Sequence, residues 1–269
     1  MFQLLRQLTP QQKVQRTCAF NRAVRKLAIL GIESQYPNLT KAKVRQEFIK
    51  RCLGAEWIEV LSDSRDWGDL VIADPIQLAQ KIASILLPLN IPYVVGGPVA
   101  SSLLGENRST QDLDLVIDLE ARIAPQLIDV MSGEFYISES AVTEAIAKSK
   151  TAPRESSFNV IYLPSLEKAD IFVIGSDDPF SASVMSRRQL HPVSDLTEEG
   201  IYIYSPEDLV LQKLSSYKLT PGGSQKQWRD VLGVLKVQGE GLDRAYLNQW
   251  AVTLKLTDLL EEALLQSGH

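Results

Sequence analysis

The sequence predicts an α+β fold in which a mixed sheet is flanked by helices, with a helical unit before it and a helical subdomain after it. Short apolar segments of strand length recur near residues 92–96, 113–118, 157–163, 169–174 and 200–204, and helix-forming segments separate most of them. Both ends of the chain show helical periodicity instead. At 269 residues with 45% hydrophobic content, the chain can bury one full core and carry a smaller appended unit.

The predicted boundaries place an N-terminal helical region at 1–63, an α/β core at 74–204 and a C-terminal helical subdomain at 205–269. In the first region, residues 11–30 and 40–53 have helical periodicity and are separated by Gly31 and a Tyr36-Pro37-Asn38 turn. Basic residues concentrate here and predict a solvated helix face, with a tRNA-contacting surface as the alternative. They are Arg16, Arg22, Arg25, Lys26, Lys41, Lys43, Arg45, Lys50 and Arg51.

Composition excludes several classes of protein. The net charge of −5 argues against a protein that coats nucleic acid generally. Only Cys18 and Cys52 are present, which predicts reduced, packed thiols in a cytoplasmic protein. We expect neither secretion nor membrane insertion, because no apolar segment is long and uninterrupted enough. With His191 and His269 as the only histidines, histidine catalysis and a zinc site are disfavoured.

A glycine turn is predicted after the first strand. Residues 75–87 form a helix that leads into this strand, which ends at Gly96-Gly97, and Pro98 then begins a second helix. Glycines without side chains let a triphosphate approach the backbone, while free N–H groups at the helix start point toward it. Ser101 or Ser102 would add a hydroxyl. Taken alone, a Gly-Gly pair more often only relieves backbone strain.

Two aspartates open the next strand. Asp112 and Asp114 share a face of that strand, with their Cα atoms about 6–7 Å apart. Like charges at the entry to a core element cost stability unless a cation is present. Carboxylate oxygens suit Mg²⁺ or Mn²⁺, and a pair of such ions can activate an attacking oxygen and stabilise leaving pyrophosphate. Asp-x-Asp in an ordinary solvated strand is the alternative.

Asp170 is the best candidate for a third carboxylate. Residues 158–163 and 169–174 are predicted to be two strands joined by a turn at 164–168, and Asp170 is the only acid inside the second strand. A strand-end acid satisfied by backbone donors is an equally good interpretation of Asp170.

The C-terminal helices begin with capping signals. Ser205-Pro206-Glu207-Asp208 predicts a helix start, and Lys213 then falls on an otherwise inward-facing stripe. This lysine would neutralise a bound triphosphate, or extend to water past apolar neighbours. Ser224 and Gln227 predict a second capping box. Asp230, on the following helix, flanks the apolar stripe and would otherwise be a surface partner of Lys226 or Arg229.

Read together, these residues resemble the polymerase-beta-like nucleotidyltransferase superfamily. The pattern consists of Gly96, Gly97, Gly105, Arg108, Thr110, Asp112, Asp114 and Asp170. The resemblance implies a nucleotidyltransferase-type sheet, metal binding by Asp112, Asp114 and Asp170, and acceptor activation by Asp170. It also implies that Gly96 and Gly97 hold the nucleoside triphosphate, with Ser101, Arg108 and Thr110 assigned to the same nucleotide. Pro98 departs from the usual small residue after the glycines.

A second stretch looks like the AbiEii-like toxin branch of type IV toxin-antitoxin systems. Residues 204–214 and 227–232 carry that likeness, which places Lys213, Arg229 and Asp230 beside the active site. Gly233 stands where these proteins often have a second aspartate. The branch implies an RNA or tRNA acceptor and an antitoxin partner. Altogether the resemblance covers roughly residues 75–265.

The predicted function is transfer of an NMP from an NTP such as ATP or GTP to an unidentified acceptor, with Mg²⁺ or Mn²⁺ as cofactor. Toxin and housekeeping transferase both stay open, and an aminoglycoside-like small acceptor is another alternative. A different class of protein also stays open, namely a non-catalytic module that binds a nucleotide or a partner.

Overall fold

The computed structural model describes residues 2–61, 74–106, 110, 112–153, 155–175, 178–193, 200–220 and 222–269. Its helices are α1 Phe2–Gln7, α2 Pro10–Gln35, α3 Lys41–Cys52, α4 Trp57–Leu61, α5 Pro75–Leu86, α6 Gly97–Leu104, α7 Ala124–Met131, α8 Glu139–Lys148, α9 Pro179–Arg187, α10 Pro206–Leu219, α11 Gln225–Gln238, α12 Arg244–Thr253 and α13 Thr257–Ser267. Its strands are β1 Tyr93–Val95, β2 Leu113–Ile117, β3 Phe135–Ile137, β4 Ser157–Tyr162, β5 Glu167–Val173, β6 Gln189–Pro192 and β7 Gly200–Ile203.

The strands form one seven-stranded mixed sheet in the order β3-β4-β5-β2-β1-β7-β6. The β2–β5 and β1–β7 pairs are parallel, and the other neighbouring pairs are antiparallel. Helices before, within and after the sheet cover it, and the main hydrophobic core lies between them and the strands. The α+β class with a mixed sheet flanked by helices is therefore confirmed.

Polar caps explain where several helices begin. Thr9 and Gln12 form a reciprocal capping box at α2, and Asp74 accepts hydrogen bonds from two backbone N–H groups at the start of α5. At α10, the Ser205 hydroxyl accepts from the Asp208 N–H as predicted, and Pro206 occupies the first turn. The expected break at Gly31 was wrong, because α2 continues to Gln35 before the chain turns.

All five predicted strands are present, and their central residues agree with the prediction. The expected turn at 164–168 was too long, since β5 already begins at Glu167 and Leu166 takes the left-handed conformation at φ 57°. Asp170 is consequently not the only acid in β5. Strands β3 and β6 were not predicted.

Most of the predicted basic helix face is exposed, but three of its arginines, Arg22, Arg25 and Arg45, hold the N-terminal helices against the rest of the protein. Buried Arg25 donates a hydrogen bond to the Ser165 carbonyl in the β4–β5 turn, and Arg45 donates to the Leu163 carbonyl. Arg22 bonds Asp74 at 2.9 Å. A second, smaller apolar cluster joins α2 and α3 to the same hairpin and includes Phe48.

Other composition-based expectations have these outcomes. Cys18 is buried, Cys52 is partly buried, and both thiols are free. Burial raises the pKa of both thiols above the ordinary value. Among the helices of the described residues, none has the length and apolar character needed to cross a membrane. The proposed boundary at residue 63 lies outside the described residues.

Candidate active site at the glycine turn

The glycine turn sits directly against Asp114. Because β1 and β2 are antiparallel, the end of β1 meets the start of β2, and the Gly96 N–H donates to the Asp114 carbonyl at 2.9 Å. Gly97 has φ +53°, and a Cβ built there would lie 2.0 Å from Asp114 Oδ2. A Cβ on Gly96 would meet the Tyr204 ring at 2.8 Å. Both glycines therefore allow a close approach that no other residue permits.

Asp114 and Asp170 are direct neighbours across two parallel strands. They are register partners in the β2–β5 pair, so their side chains leave the same face of the sheet. Alternate residues Leu113 and Ala169 face the core and are fully buried, whereas the two aspartates are half-buried. The fold thus brings together two of the three carboxylates that the sequence singled out. Lys168 Nζ lies 2.9 Å from Asp170 Oδ1.

The pKa of Asp114 is raised by its surroundings, which include two other aspartates. Burial, and next the negative charge of Asp170, raise the pKa of Asp114 to about 6. Lys213 acts in the opposite direction, and Asp112 adds a smaller repulsion. Asp112 itself is exposed at the start of the strand. A cation beside Asp114 would relieve this repulsion, which is the chemistry expected of a carboxylate donor set.

Within the described residues, no group of three or more His, Cys, Asp or Glu side chains is arranged to hold a metal ion. The predicted set of Asp112, Asp114 and Asp170 therefore stays a prediction. Mg²⁺ is commonly held by only one or two protein carboxylates, with water and substrate phosphate completing its shell. The pair formed by Asp114 and Asp170 fits that type of donor set.

The other residues assigned to the nucleotide have structural partners. Thr110 Oγ1 donates to the Asp112 carbonyl and accepts from the Asp112 N–H, both at 3.2 Å, while the Thr110 N–H donates to Asn21 Oδ1 at 3.0 Å. Thr110 thus holds the backbone of Asp112. The Ser101 hydroxyl donates to the Gly97 carbonyl at 2.9 Å. Arg108 lies outside the described residues.

Lys213 and Asp230 form a buried ion pair. Lys213 Nζ lies 2.8 Å from Asp230 Oδ2, and the two side chains are 4% and 5% exposed. Asp230 is therefore not the surface partner of Lys226 or Arg229 that the sequence pattern allowed. The Arg229 side chain is 80% exposed and lies 3.8 Å from Glu106.

Gly105 and Gly233 lie where two helices pack against each other. A Cβ on Gly105 would lie 2.9 Å from the Val234 backbone nitrogen, because the end of α6 crosses α11 there. Gly233 is buried in the same crossing, and a Cβ on it would come 3.4 Å from the Glu106 nitrogen. That distance is an ordinary contact, so the close packing explains Gly105, whereas nothing in the structure explains Gly233.

A cavity of about 870 Å³ opens beside Asp114. Its lining includes Gly96, Gly97 and Asp114, and continues along the sheet face through Val116 and Phe172. The remaining walls come from the end of α8, from α9 and from the polar face of α10. This volume is in the range of small-molecule and cofactor sites.

Sequence reasoning missed two residues of this site. Tyr204 is buried against Gly96, and burial together with Asp208 and Asp114 raises the pKa of its hydroxyl. Lys168 was assigned to a turn, although it lies in β5 two residues from Asp170 and so shares its face. The alternation of residues 167–173 was the signal that could have found Lys168.

No family model matches the chain, and no curated protein sequence matches it. Among solved structures, the chain is similar to an antigenic nucleotidyltransferase-like protein from Paracoccidioides brasiliensis, with 18% identity and a TM-score of 0.42 over 71% of this chain and 92% of that chain. It is also similar to the antibiotic-resistance factor ANT(2'')-Ia, with 13% identity and a TM-score of 0.39 over 66% of this chain and 93% of that chain.

Proposed function

We propose that the protein is a Mg²⁺- or Mn²⁺-dependent nucleotidyltransferase that transfers an NMP from an NTP to a hydroxyl acceptor and releases pyrophosphate. One observation carries this proposal. The Asp114 carboxylate is pressed against a left-handed glycine turn, pairs in register with Asp170, and faces a cavity large enough for a nucleotide. An aspartate with a purely structural role in the strand would require neither a glycine at position 97 nor an adjacent cavity.

The glycine turn is proposed to hold phosphate. Gly96 precedes α6 and makes no side-chain cap to it, so no side chain of residue 96 competes for the first N–H groups of the helix. Pro98 has no N–H, but it occupies the first turn, where one fewer donor is tolerated. The departure at Pro98 is thus compatible with an anion at this helix start.

Asp114 and Asp170, with Asp112 beside them, are the residues that would hold the metal. When bound, the metal would supply positive charge that neutralises the carboxylates and the triphosphate. Asp170 would orient the acceptor hydroxyl and take its proton, once Lys168 moves from its carboxylate. Lys213, paired with Asp230, lies close enough to lower the pKa of Asp114 and would keep that carboxylate ionised for metal binding.

The acceptor belongs in the part of the cavity that runs along Phe172 toward α9 and α10. An RNA or tRNA 3′ end, as the AbiEii-like resemblance implies, is the first acceptor to test. An antitoxin partner is part of that same proposal. A small hydroxyl compound of the aminoglycoside type is the alternative acceptor.

A second candidate function is a nucleotide-binding module without turnover. The close ion pair between Lys168 and Asp170 favours it, because the lysine occupies a carboxylate oxygen that would otherwise face a metal ion or the acceptor hydroxyl. The two candidates differ in whether phosphate bonds are broken.

The test is incubation of the purified protein with each NTP labelled at the α-phosphate, with Mg²⁺ or Mn²⁺, and with tRNA or an aminoglycoside. Transfer of label to an acceptor, lost in Asp114→Asn and retained in the exposed helix α7 variant Asp129→Asn, supports the transferase. NTP binding without label transfer to either acceptor supports the binding module. Absence of both contradicts the proposed site.

A further inference from the structure

Helix α2 carries apolar residues on two opposite faces. Its inner face, which includes Val14, Cys18 and Ile32, is buried against the rest of the protein. On the other side Phe20, Leu27 and Leu30 are 52%, 69% and 48% exposed. Three large apolar side chains exposed on one face of a helix are unfavourable in water and do not contribute to the core. Such an exposed apolar patch indicates an interaction surface.

The exposed side chains form one continuous stripe. At about 100° per residue, Arg16, Phe20, Ala23, Leu27, Leu30 and Ser34 fall within roughly 40° of one direction, about 180° from the buried face. Their spacing alternates between four and three residues, which is the repeat that lets one helix pack along another. Ala23, exposed and small, leaves a hollow between Phe20 and Leu27. The six residues are called the outer stripe below.

We infer that the outer stripe is a self-association surface, on which α2 pairs antiparallel with α2 of a second copy. If the twofold axis passes near residue 25, Phe20 lies opposite Leu30 of the partner subunit and Ala23 lies opposite Leu27 of the partner subunit. No large side chain of the stripe then lies opposite its own copy. The Leu27 side chain of one protomer fills the hollow at Ala23 of the other. A face complementary to itself is what a twofold interface requires.

Charges near the two ends of the outer stripe agree with this arrangement. Arg16 and Glu33 are both exposed, and the antiparallel pairing brings Arg16 opposite Ser34 of the partner subunit, in the turn that carries Glu33 of the partner subunit at the side of the stripe. The last turn of α2 has no basic residue of its own, and a cation there complements the helix dipole. A parallel pairing would place Arg16 beside Arg16 of the partner subunit. The antiparallel direction is therefore the favoured one.

One residue opposes the pairing. Lys26 lies at the side of the outer stripe near the axis and would face its own copy, but it is exposed and screened by solvent and salt. With few buried layers, the interface is smaller than that of an obligate dimer. We expect a reversible dimer with a dissociation constant on the order of micromolar.

The experiment is sedimentation equilibrium of the full chain over a hundredfold range of concentration. Wild type is expected to shift from monomer to dimer. Leu27→Glu, which buries a charge in both layers that pair residue 27 with Ala23, should raise the dissociation constant at least about tenfold. Lys26→Glu is the matched control, since it introduces the same residue beside the outer stripe and leaves like charges facing each other as before.

Charge reversal tests the direction of pairing. Arg16→Glu should weaken the dimer, and adding Glu33→Arg should restore it. Circular dichroism and urea denaturation would confirm that each variant is folded. A wild type that stays monomeric at every concentration would overturn the inference, whether the outer stripe is covered by a different protein or by another segment of this chain. A dimer unchanged by Leu27→Glu would overturn it as well.

Discussion

Replacement of Gly97 by alanine perturbs the closest contact of the candidate site. The added Cβ would lie 2.0 Å from Asp114 Oδ2, 2.5 Å from Cγ and 2.8 Å from Cβ of the same residue. Rotating the carboxylate cannot relieve all three contacts, since the Asp114 Cβ is fixed by the strand. Ordinary contact needs about 3.5 Å, so the turn and β2 must separate by roughly 1 Å.

Two costs add in this variant. Alanine at a left-handed φ costs about 1–2 kcal/mol, and the overpacked contact costs about 1–3 kcal/mol. We therefore expect Gly97→Ala to lower the free energy of unfolding by about 2–5 kcal/mol, measured by urea denaturation. Because the carboxylate is displaced, we also expect at least about a tenfold loss of Mg²⁺-dependent NTP affinity by calorimetry.

Two other glycines supply matched controls. Gly222 has φ +77°, and a Cβ added there would have nothing within 4 Å, so Gly222→Ala measures the backbone strain alone, about 1–2 kcal/mol. Gly31 lies within α2 with the same open space, and Gly31→Ala should stabilise by about 0.5–1 kcal/mol. If Gly97→Ala costs no more than Gly222→Ala and binds nucleotide like wild type, the close approach of the turn to Asp114 is refuted.

Three further predictions concern charge and capping. The raised pKa of Asp114, about 6, means that ionising this carboxyl destabilises the folded protein as the pH rises through about 4 to 6. Asp114→Asn removes the charge and should therefore stabilise the protein by about 1–2 kcal/mol near pH 7.5, with no gain near pH 4. Urea denaturation at both pH values checks this, and a destabilised Asp114→Asn would contradict it. Lys213→Met should cost about 3–5 kcal/mol by removing the positive charge 2.8 Å from the buried Asp230 carboxylate, and the double variant with Asp230→Leu should recover much of that loss in thermal melts. Ser205→Ala removes the cap of α10 and should cost about 1–2 kcal/mol in the same assay, with no change in nucleotide affinity if the cap is only structural.

The strands that pack the core were predictable because apolar runs of strand length leave few alternatives. Residues 113–117 alternate cleanly once paired, with core-facing Leu113 and outward-facing Asp114. The register between Asp114 and Asp170 could not be predicted, since it depends on the crossover connection that makes β2 and β5 parallel. The short edge strands β3 and β6 were missed, because three or four residues carry little periodicity.

Contacts between charged side chains and residues distant in the sequence were the features least predictable from the sequence. Nothing near Arg25 indicates that it reaches the Ser165 carbonyl, and nothing near Asp230 indicates its bond to Lys213. Both depend on how distant helices cross. Caps, by contrast, were predictable, because Ser205 and Asp208 satisfy each other within one turn.

The proposed function requires that Asp114 and Asp170, with Asp112 beside them, bind nucleotide through a divalent cation. Titration calorimetry with each of the four NTPs, with and without Mg²⁺, compares wild type with the Asp112→Asn, Asp114→Asn double variant and with Asp129→Asn. We expect Mg²⁺-dependent binding of at least one NTP by wild type and Asp129→Asn, abolished in the double variant. Binding of no NTP by wild type, or equal binding by the double variant, would contradict the claim.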